Sequence, residues 1–359
     1  MTDLKIRLTK NNTAHFSLNI DLRLPNHGVT AIFGRSGSGK TTLLRCIAGL
    51  EKSEFGEVSL NGDVWQNTMT WLPPHKRPIG YVFQEASLFP HLSAKENLEF
   101  AIKRANTKQT IIDYEEIVTL MGIKPLLAKY PNQLSGGERQ RIAIARALLI
   151  QPKVLLMDEP LSALDESLKQ DILPYLEALC RRVQIPILYI SHSIDEIIRL
   201  ADYLVILDNG KVIDQGRTQK ILGKLPTPLL QSQDASVLIS GTITEKHKEW
   251  GLSKVSFSHH HMMIKSSEEK IGDTMRLRVK SRDVSISLSN EDNSSILNRL
   301  AVVIDDLVKD DQDPSMMMVR MLAGDTPILA NITALSADKL NLKKGKNVIA
   351  QIKSAAVLR

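Results

Sequence analysis

The stretch GVTAIFGRSGSGKTT, Gly28 to Thr42, joins an apolar run to a glycine-rich loop and the loop to a helical pattern. Residues 34 to 41, GRSGSGKT, have the spacing G-x-x-x-x-G-K-[ST]. Glycine at such positions lets backbone N–H groups close around phosphate oxygens. The helix that starts there adds roughly half a positive charge at its N-terminus. Gly34, Arg35, Ser36, Gly37, Ser38, Gly39, Lys40, Thr41 and Thr42 are therefore predicted to hold a nucleotide. Lys40 would reach the terminal phosphates and Thr41 would bind Mg²⁺. A strand that ends in such a loop, with a helix after it, restricts the fold to an α/β sheet with helices on its faces. In KTTLLRCIAGL the spacing predicts Leu43, Leu44, Ile47 and Leu50 on one buried face.

IGYVF, KVLLMD and PILYISH are further short apolar runs, as expected of strands covered on both faces. With helical patterns following two of them, they predict a parallel sheet. Between YVFQ and KVLLMD there is no strand signal, and a helical insertion is expected over about 86–150. Ser93 and Glu96 have capping-box spacing, and Asn209-Gly210 reads as a type I′ hairpin turn. Past residue 232 the periodicity becomes strand-like. There GDTMRLRVKS, from Gly272, and GKNVIAQIKS, from Gly345, share the pattern Gly-x-x-apolar-x-x-x-aliphatic-Lys-Ser. They predict a degenerate repeat, two halves of a β-barrel or two small barrels. The expected organisation is 1–232 α/β, 233–292 a β-rich linker or first barrel half, and 293–359 a β-barrel domain.

Asp158 ends the apolar run VLLMD and Glu159 follows it. An aspartate at that strand end can hold Mg²⁺, and the next carboxylate can polarise a water for attack on a γ-phosphate. His192, at the end of PILYISH, and Gln84, at the end of YVFQ, would lie on the same sheet edge, where ligands bind in open α/β sheets. The predicted catalytic residues are Glu159, His192 and Gln84, and the predicted Mg²⁺ residues are Thr41, Gln84 and Asp158. A second glycine-led helix start, LSGGERQRIAIARAL, begins at Leu134. Ser135 and Glu138 fit a capping box, with Ile142, Ala145 and Leu149 as the buried stripe. Two glycines in the first turn of a helix are not needed for capping and weaken it. They allow close approach to the backbone at an anion-attracting helix end.

Charge argues against nucleic acid as a partner. The 359-residue chain has a net charge of +6 without a Lys/Arg-rich block, and aromatics are only 4%. Cys46 and Cys180 are far apart and lack metal-ligand spacing, which suits a reducing cytosol. The polar start MTDLKIRLTKNNTAHF has no apolar signal core, and no run is long enough to span a bilayer. HHHMM, from His259, places adjacent histidines on alternate faces of a strand, so a solvated strand or loop is expected there.

The order GRSGSGKTT, YVFQ, LSGGERQ, LLMDEP, SALD, SH resembles the ATPase subunits of ABC transporters over about the first 230 residues. The resemblance implies a P-loop ATPase domain with a helical subdomain, and a head-to-tail homodimer holding two ATP. Ser135, Gly136 and Gly137 would contact the γ-phosphate bound to the other copy, and Ser162 to Asp165 would link the two sites. An aromatic near the N-terminus, Phe16 or His15, would stack on adenine. One cassette without coiled-coil or zinc insertions implies a separate importer ATPase on the cytoplasmic face of a bacterial inner membrane. Its partners would be two permease subunits, docked through LFPHLSAKENL, and a periplasmic binding protein. The tail ILANITALSADKLNLKKGKNVIAQIKSAAVL is similar to the all-β, OB-like Mop/TOBE domain of molybdate importers. It implies molybdate as cargo and an oxyanion-sensing or dimerising tail, with Ser336, Lys343 and Lys353 as candidate contacts for molybdate or tungstate. SSILN, Ser294 to Asn298, aligns with a Ser-Ala-Arg-Asn opening there, with Ile296 and Leu297 replacing Ala and Arg. The alternatives are an importer for sulfate, tungstate, iron or polyamine, and a cytosolic molybdate-binding regulator without a transport role.

Overall fold

Strict alternation shapes the first two strands of the computed structural model, which describes residues 3–13, 16–105, 111–224, 235–266, 270–289, 294–310 and 313–358. β1 (Asp3–Thr13) and β2 (Phe16–Pro25) pair antiparallel, with Leu4 opposite Leu24, Ile6 opposite Leu22 and Leu8 opposite Ile20. All six side chains are buried, and the polar residues between them face out. β3 (Gly28–Phe33), GVTAIF, is buried from Val29 to Phe33 and feeds the glycine-rich loop and α1 (Lys40–Ala48). Then come β4 (Phe55–Leu60), β5 (Asp63–Gln66) and β6 (Ile79–Val82). The helical stretch contains α2 (Ala94–Ile102), α3 (Tyr114–Leu120) and α4 (Gly136–Leu149). β7 (Val154–Asp158), α5 (Glu166–Arg182), β8 (Pro186–Ile190), α6 (Ile194–Leu200), β9 (Tyr203–Asp208) and β10 (Lys211–Arg217) follow.

These ten strands form one sheet in the order β5-β4-β1-β2-β10-β9-β3-β8-β7-β6. The block from β9 to β6 is parallel throughout, so the C-terminal ends of β3, β6, β7 and β8 share one edge. The loops holding the phosphate-loop residues, Gln84, Asp158 with Glu159, and His192 all leave from that edge. Asn209 and Gly210 both have positive φ, 46° and 74°, and join β9 to β10 as the primed turn requires. Ser93 and Glu96 form the expected capping box.

One expected core position is corrected. Leu50 is 42% exposed. Gly49 takes φ 73° and donates its N–H back to the last turn of α1, which ends the helix at Ala48. The left-handed cap swings the next residue off the helical face. Leu43, Leu44 and Ile47 are buried as predicted, and so are Ile142, Ala145 and Leu149 on α4.

Arg77 also meets the last carbonyls of α1. Its guanidinium is buried and donates to Cys46 O at 3.1 Å, Ile47 O at 2.6 Å, Leu72 O at 2.8 Å and Gln66 Oε1 at 3.1 Å. Arg77→Ala leaves buried acceptors unpaired, and a loss of about 3 kcal/mol is expected. Urea denaturation of the full chain checks this, with Arg77→Lys recovering little because one ammonium cannot reach four acceptors.

The chain divides into two compact units between Arg217 and Thr218. In the second unit, α7 (Thr218–Leu222) precedes β11 (Ser236–His247), β12 (Leu252–Phe257), β13 (His260–Lys265), β14 (Thr274–Lys280) and β15 (Val284–Ser287). β16 (Asn298–Lys309), β17 (Met316–Ala323), β18 (Thr326–Thr333), α8 (Ala334–Lys339), β19 (Asn347–Ile352) and β20 (Ala356–Leu358) complete it. Two five-stranded sheets result, β13-β12-β11-β14-β20 and β18-β17-β16-β19-β15. They have the same order, and the two echoing stretches occupy equivalent places: GDTMRLRVKS contains β14 and GKNVIAQIKS contains β19. The short strand that follows each crosses to the other sheet, so β15 pairs with β19 and β20 pairs with β14. Gly272 and Gly345 both have positive φ, 96° and 82°, in the turns that lead into β14 and β19. One apolar core, including Val237, Leu277, Leu300 and Ala350, is shared by the two sheets. Ser258 and His259 form a turn with φ of 40° and 65°, and His260 and His261 open β13.

Candidate functional site

Backbone hydrogen bonds and left-handed glycines shape the phosphate loop. Ser38 N donates to Arg35 O at 3.1 Å, and Leu43 N donates to Gly39 O at 2.9 Å to close the first helical turn. Gly37 and Gly39 take φ of 79° and 99°. A Cβ on Gly34 would stand 2.2 Å from the Leu207 carbonyl oxygen, so β9 packs where any side chain would go. Lys40 is buried and donates to Gly34 O at 2.9 Å and Arg35 O at 3.0 Å. Burial pushes its pKa down, against the opposing carboxylates of Glu159 and Asp158. Ser38 Oγ is buried in the loop without a hydrogen-bond partner. An orphaned hydroxyl beside a lysine folded back onto loop carbonyls fits a cradle made for phosphate oxygens.

Asp158 ends the fully buried β7 and receives two hydroxyls. Thr41 Oγ1 donates to Oδ1 at 3.0 Å and Tyr81 donates to Oδ2 at 3.1 Å. Burial raises the Asp158 pKa, and both hydrogen bonds hold it down. Thr41 and Asp158 supply hard oxygen donors side by side, the chemistry that suits Mg²⁺. β7 and β8 pair so that Asp158 lies opposite Ile190. The next residues therefore meet, and His192 Nδ1 lies 3.3 Å from Glu159 Oε2. Glu159 has φ 46°, an unfavourable backbone state for a side-chain-bearing residue. Its N–H donates to Ile190 O at 3.2 Å, and its carbonyl accepts from Ser162 Oγ at 2.9 Å.

The other predicted residues stand apart. Gln84 is exposed just beyond β6 and makes no hydrogen bond among the described residues. Ser135 caps α4, accepting from Glu138 N at 3.2 Å while Glu138 Oε2 accepts from Ser135 N at 2.7 Å. Among the described residues, no hydrogen bond joins Ser135, Gly136 or Gly137 to the phosphate loop of the same chain. Part of the reason for the glycines is internal, since a Cβ on Gly136 would meet Leu164 at 2.8 Å and one on Gly137 would meet Ile172 at 3.0 Å. Asp165 caps α5 by accepting from Leu168 N at 2.9 Å. Phe16 lies against the loop, its Cζ 2.8 Å from where a Gly39 Cβ would stand. His15 lies outside the described residues.

Two features were not anticipated. The first is Tyr81, readable in hindsight as a phenol in an otherwise apolar strand, whose hydroxyl must find a partner. The second is Glu196, buried on α6, which accepts from Tyr189 and Ser191 hydroxyls at 2.7 Å each and so fixes the segment leading to His192.

Beside β6 lies a groove of 380 Å³, lined by Leu50, Tyr81, Phe83, Phe89, Phe100 and Arg146 among others. Arg146 stacks on Phe89 and donates to Ser87 O at 2.7 Å, so one wall belongs to the helical stretch. In the second unit, Ser336, Lys343 and Lys353 are all exposed. Lys343 precedes β19 and Lys353 follows it, which puts roughly 20 Å between them along the strand. Asn298, of SSILN, is buried and ties β16 to β13, accepting from Met263 N at 2.6 Å and donating to Met263 O at 2.9 Å.

A phosphate loop, a strand-end Asp-Glu pair, a histidine on the neighbouring strand and a glycine-led signature helix together define an ATP-binding cassette. Residues 18–162 match the ABC transporter family and residues 294–358 match the TOBE domain. The structure of cbiO1 from Clostridium perfringens, part of the ABC transporter complex cbiONQ, superposes with TM-score 0.52 at 27% identity, covering 62% of this chain and 90% of that one. The ADP conformation of MJ1267, an ATP-binding cassette of an ABC transporter, also gives 0.52 at 26% identity, covering 61% and 92%. Over the whole length, the molybdenum import ATP-binding protein ModC of Pseudomonas syringae pv. tomato is 49% identical, covering 96% of each chain. That of Saccharophagus degradans is 48% identical, covering 95% of this chain and 94% of its own. The chain belongs to this family of molybdenum import ATP-binding proteins within the ABC transporters. No described helix is long and apolar enough to cross a membrane.

Proposed function

We propose that the chain is the ATP-hydrolysing subunit of a bacterial molybdate importer, working as a homodimer beneath a permease pair fed by a periplasmic binding protein. The observation that carries the reading is the meeting of Thr41, Asp158, Glu159 and His192 at one sheet edge, in a chain 49% identical to a molybdenum import subunit. Thr41 and Asp158 would hold Mg²⁺, which would supply charge neutralisation for phosphoryl transfer. Lys40 leaves the Gly34 and Arg35 carbonyls for the terminal phosphates. Glu159 takes the proton of the attacking water, and His192 orients Glu159 and the γ-phosphate. Gln84, exposed and unpaired, is free to join the site when the nucleotide is present. Ser135, Gly136 and Gly137, at the capped start of α4, complete the site of the second copy. Phe16 is the adenine-stacking aromatic.

The groove beside β6 receives the permease. Its mixed apolar and arginine lining suits a short amphipathic segment, and it borders the Phe89 region expected to dock. Leu50→Arg places a charge at its mouth without touching the phosphate loop. In vesicles carrying the permease pair, this variant is expected to lose molybdate uptake at least 10-fold, while the isolated chain keeps its ATPase rate within twofold. Uptake of sulfate instead of molybdate by the wild-type assembly would overturn the cargo; uptake by Leu50→Arg at the normal rate would overturn the docking site.

A further inference from the structure

We propose that Tyr81 is a positioning residue for the Mg²⁺ site. The proposal rests on the assignment of Thr41 and Asp158 to that cation. Asp158 is 7% exposed, and its two oxygens are engaged from opposite sides, Oδ1 by Thr41 and Oδ2 by Tyr81. Under the cation assignment Thr41 Oγ1 would turn to the cation, so its bond to Oδ1 would be the one that changes on loading. The Tyr81 bond to Oδ2 does not compete with a cation at the phosphate loop. It comes from the adjacent strand, where Tyr81 pairs with Leu156, two residues before Asp158. The phenol ring is itself held, packing on Phe83 with centroids 4.3 Å apart. A fixed donor on Oδ2 restricts rotation about the Cβ–Cγ bond and keeps Oδ1 aimed at Thr41. Fixed ligand orientation of this kind typically changes metal affinity by about 10- to 100-fold. The ring of Tyr81 also forms part of the groove wall, so whatever packs against Tyr81 and Phe83 sets where this hydroxyl stands.

Tyr81→Phe removes the hydroxyl and keeps the ring on Phe83. The full chain is titrated with a fluorescent ATP analogue at fixed Mg²⁺ concentrations from zero upward. Mn²⁺ in place of Mg²⁺ is followed by EPR, which reads the cation without turnover. For Tyr81→Phe the cation concentration giving half-maximal effect is expected to rise about 10-fold, with nucleotide affinity in the absence of cation unchanged within twofold. Asp158→Asn is the reference and is expected to lose the cation effect. If Tyr81→Phe titrates like the wild type while Asp158→Asn does not, Tyr81 has no positioning role and the cation assignment stands. If Asp158→Asn also titrates like the wild type, the cation assignment itself falls. An equal loss of affinity with and without cation would show a general structural role for Tyr81 and overturn the proposal.

Discussion

Glu159→Gln is expected to lower steady-state ATP turnover by about 10²- to 10⁴-fold, the usual share of a positioned general base. The amide keeps the size and the contact with His192 but cannot accept a proton from water. Nucleotide affinity should stay within about threefold, because neither Lys40 nor the loop N–H groups change. The closed dimer should then accumulate with ATP, and light scattering after gel filtration would read twice the chain mass. The backbone supports the assignment independently of the charge. Glu159 holds φ 46° between a bond to Ile190 O and one from Ser162 Oγ, so the fold maintains an unfavourable conformation to present this one carboxylate. Turnover at the wild-type rate would remove Glu159 from the mechanism. A variant that hydrolyses slowly but stays monomeric with ATP would separate the base from the dimer.

Lys40→Ala carries the second large effect. An ATP affinity about 100-fold weaker is expected, roughly 2.7 kcal/mol, by isothermal titration. Thermal unfolding of the free chain should hardly change. The ammonium donates to Gly34 O and Arg35 O, and burial already disfavours its charge. Removing it loses two hydrogen bonds and relieves that desolvation, two contributions of opposite sign and similar size. Unchanged ATP binding would show that the loop N–H groups alone hold the phosphates. A collapse of the melting temperature would show that Lys40 is chiefly a strut for the loop.

Much of the nucleotide site was legible because its parts are local in sequence. A strand, a glycine loop and a helix fix one another within fifteen residues, and short apolar runs ending in Asp158 and His192 declare where their strands stop. The parallel order then brings those ends together without further information. What stayed hidden depends on neighbours distant in sequence. Leu50 fits the helical stripe until the left-handed Gly49 ends the helix two residues short of it. Tyr81 reaches Asp158 only because β6 lies beside β7, a pairing across more than seventy residues. The glycines of LSGGERQ read as room for a ligand, yet Leu164 and Ile172 also fill part of that room.

The crossing of β15 and β20 has a consequence for how the tail can be cut. The TOBE match starts at residue 294, after β15, although β15 is the edge partner of β19 along Val284–Ile352 to Ser287–Ile349. A fragment trimmed to the matched residues would bare the outer edge of β19 and leave β20 without β14. Exposed edges of that kind recruit other strands, from a second fragment if none is nearer. The stretch that recurs across proteins is thus shorter than the piece that can close on itself. A dimer observed for the trimmed fragment would report the missing strands, whereas the same measurement on the intact chain reports its physiological contacts.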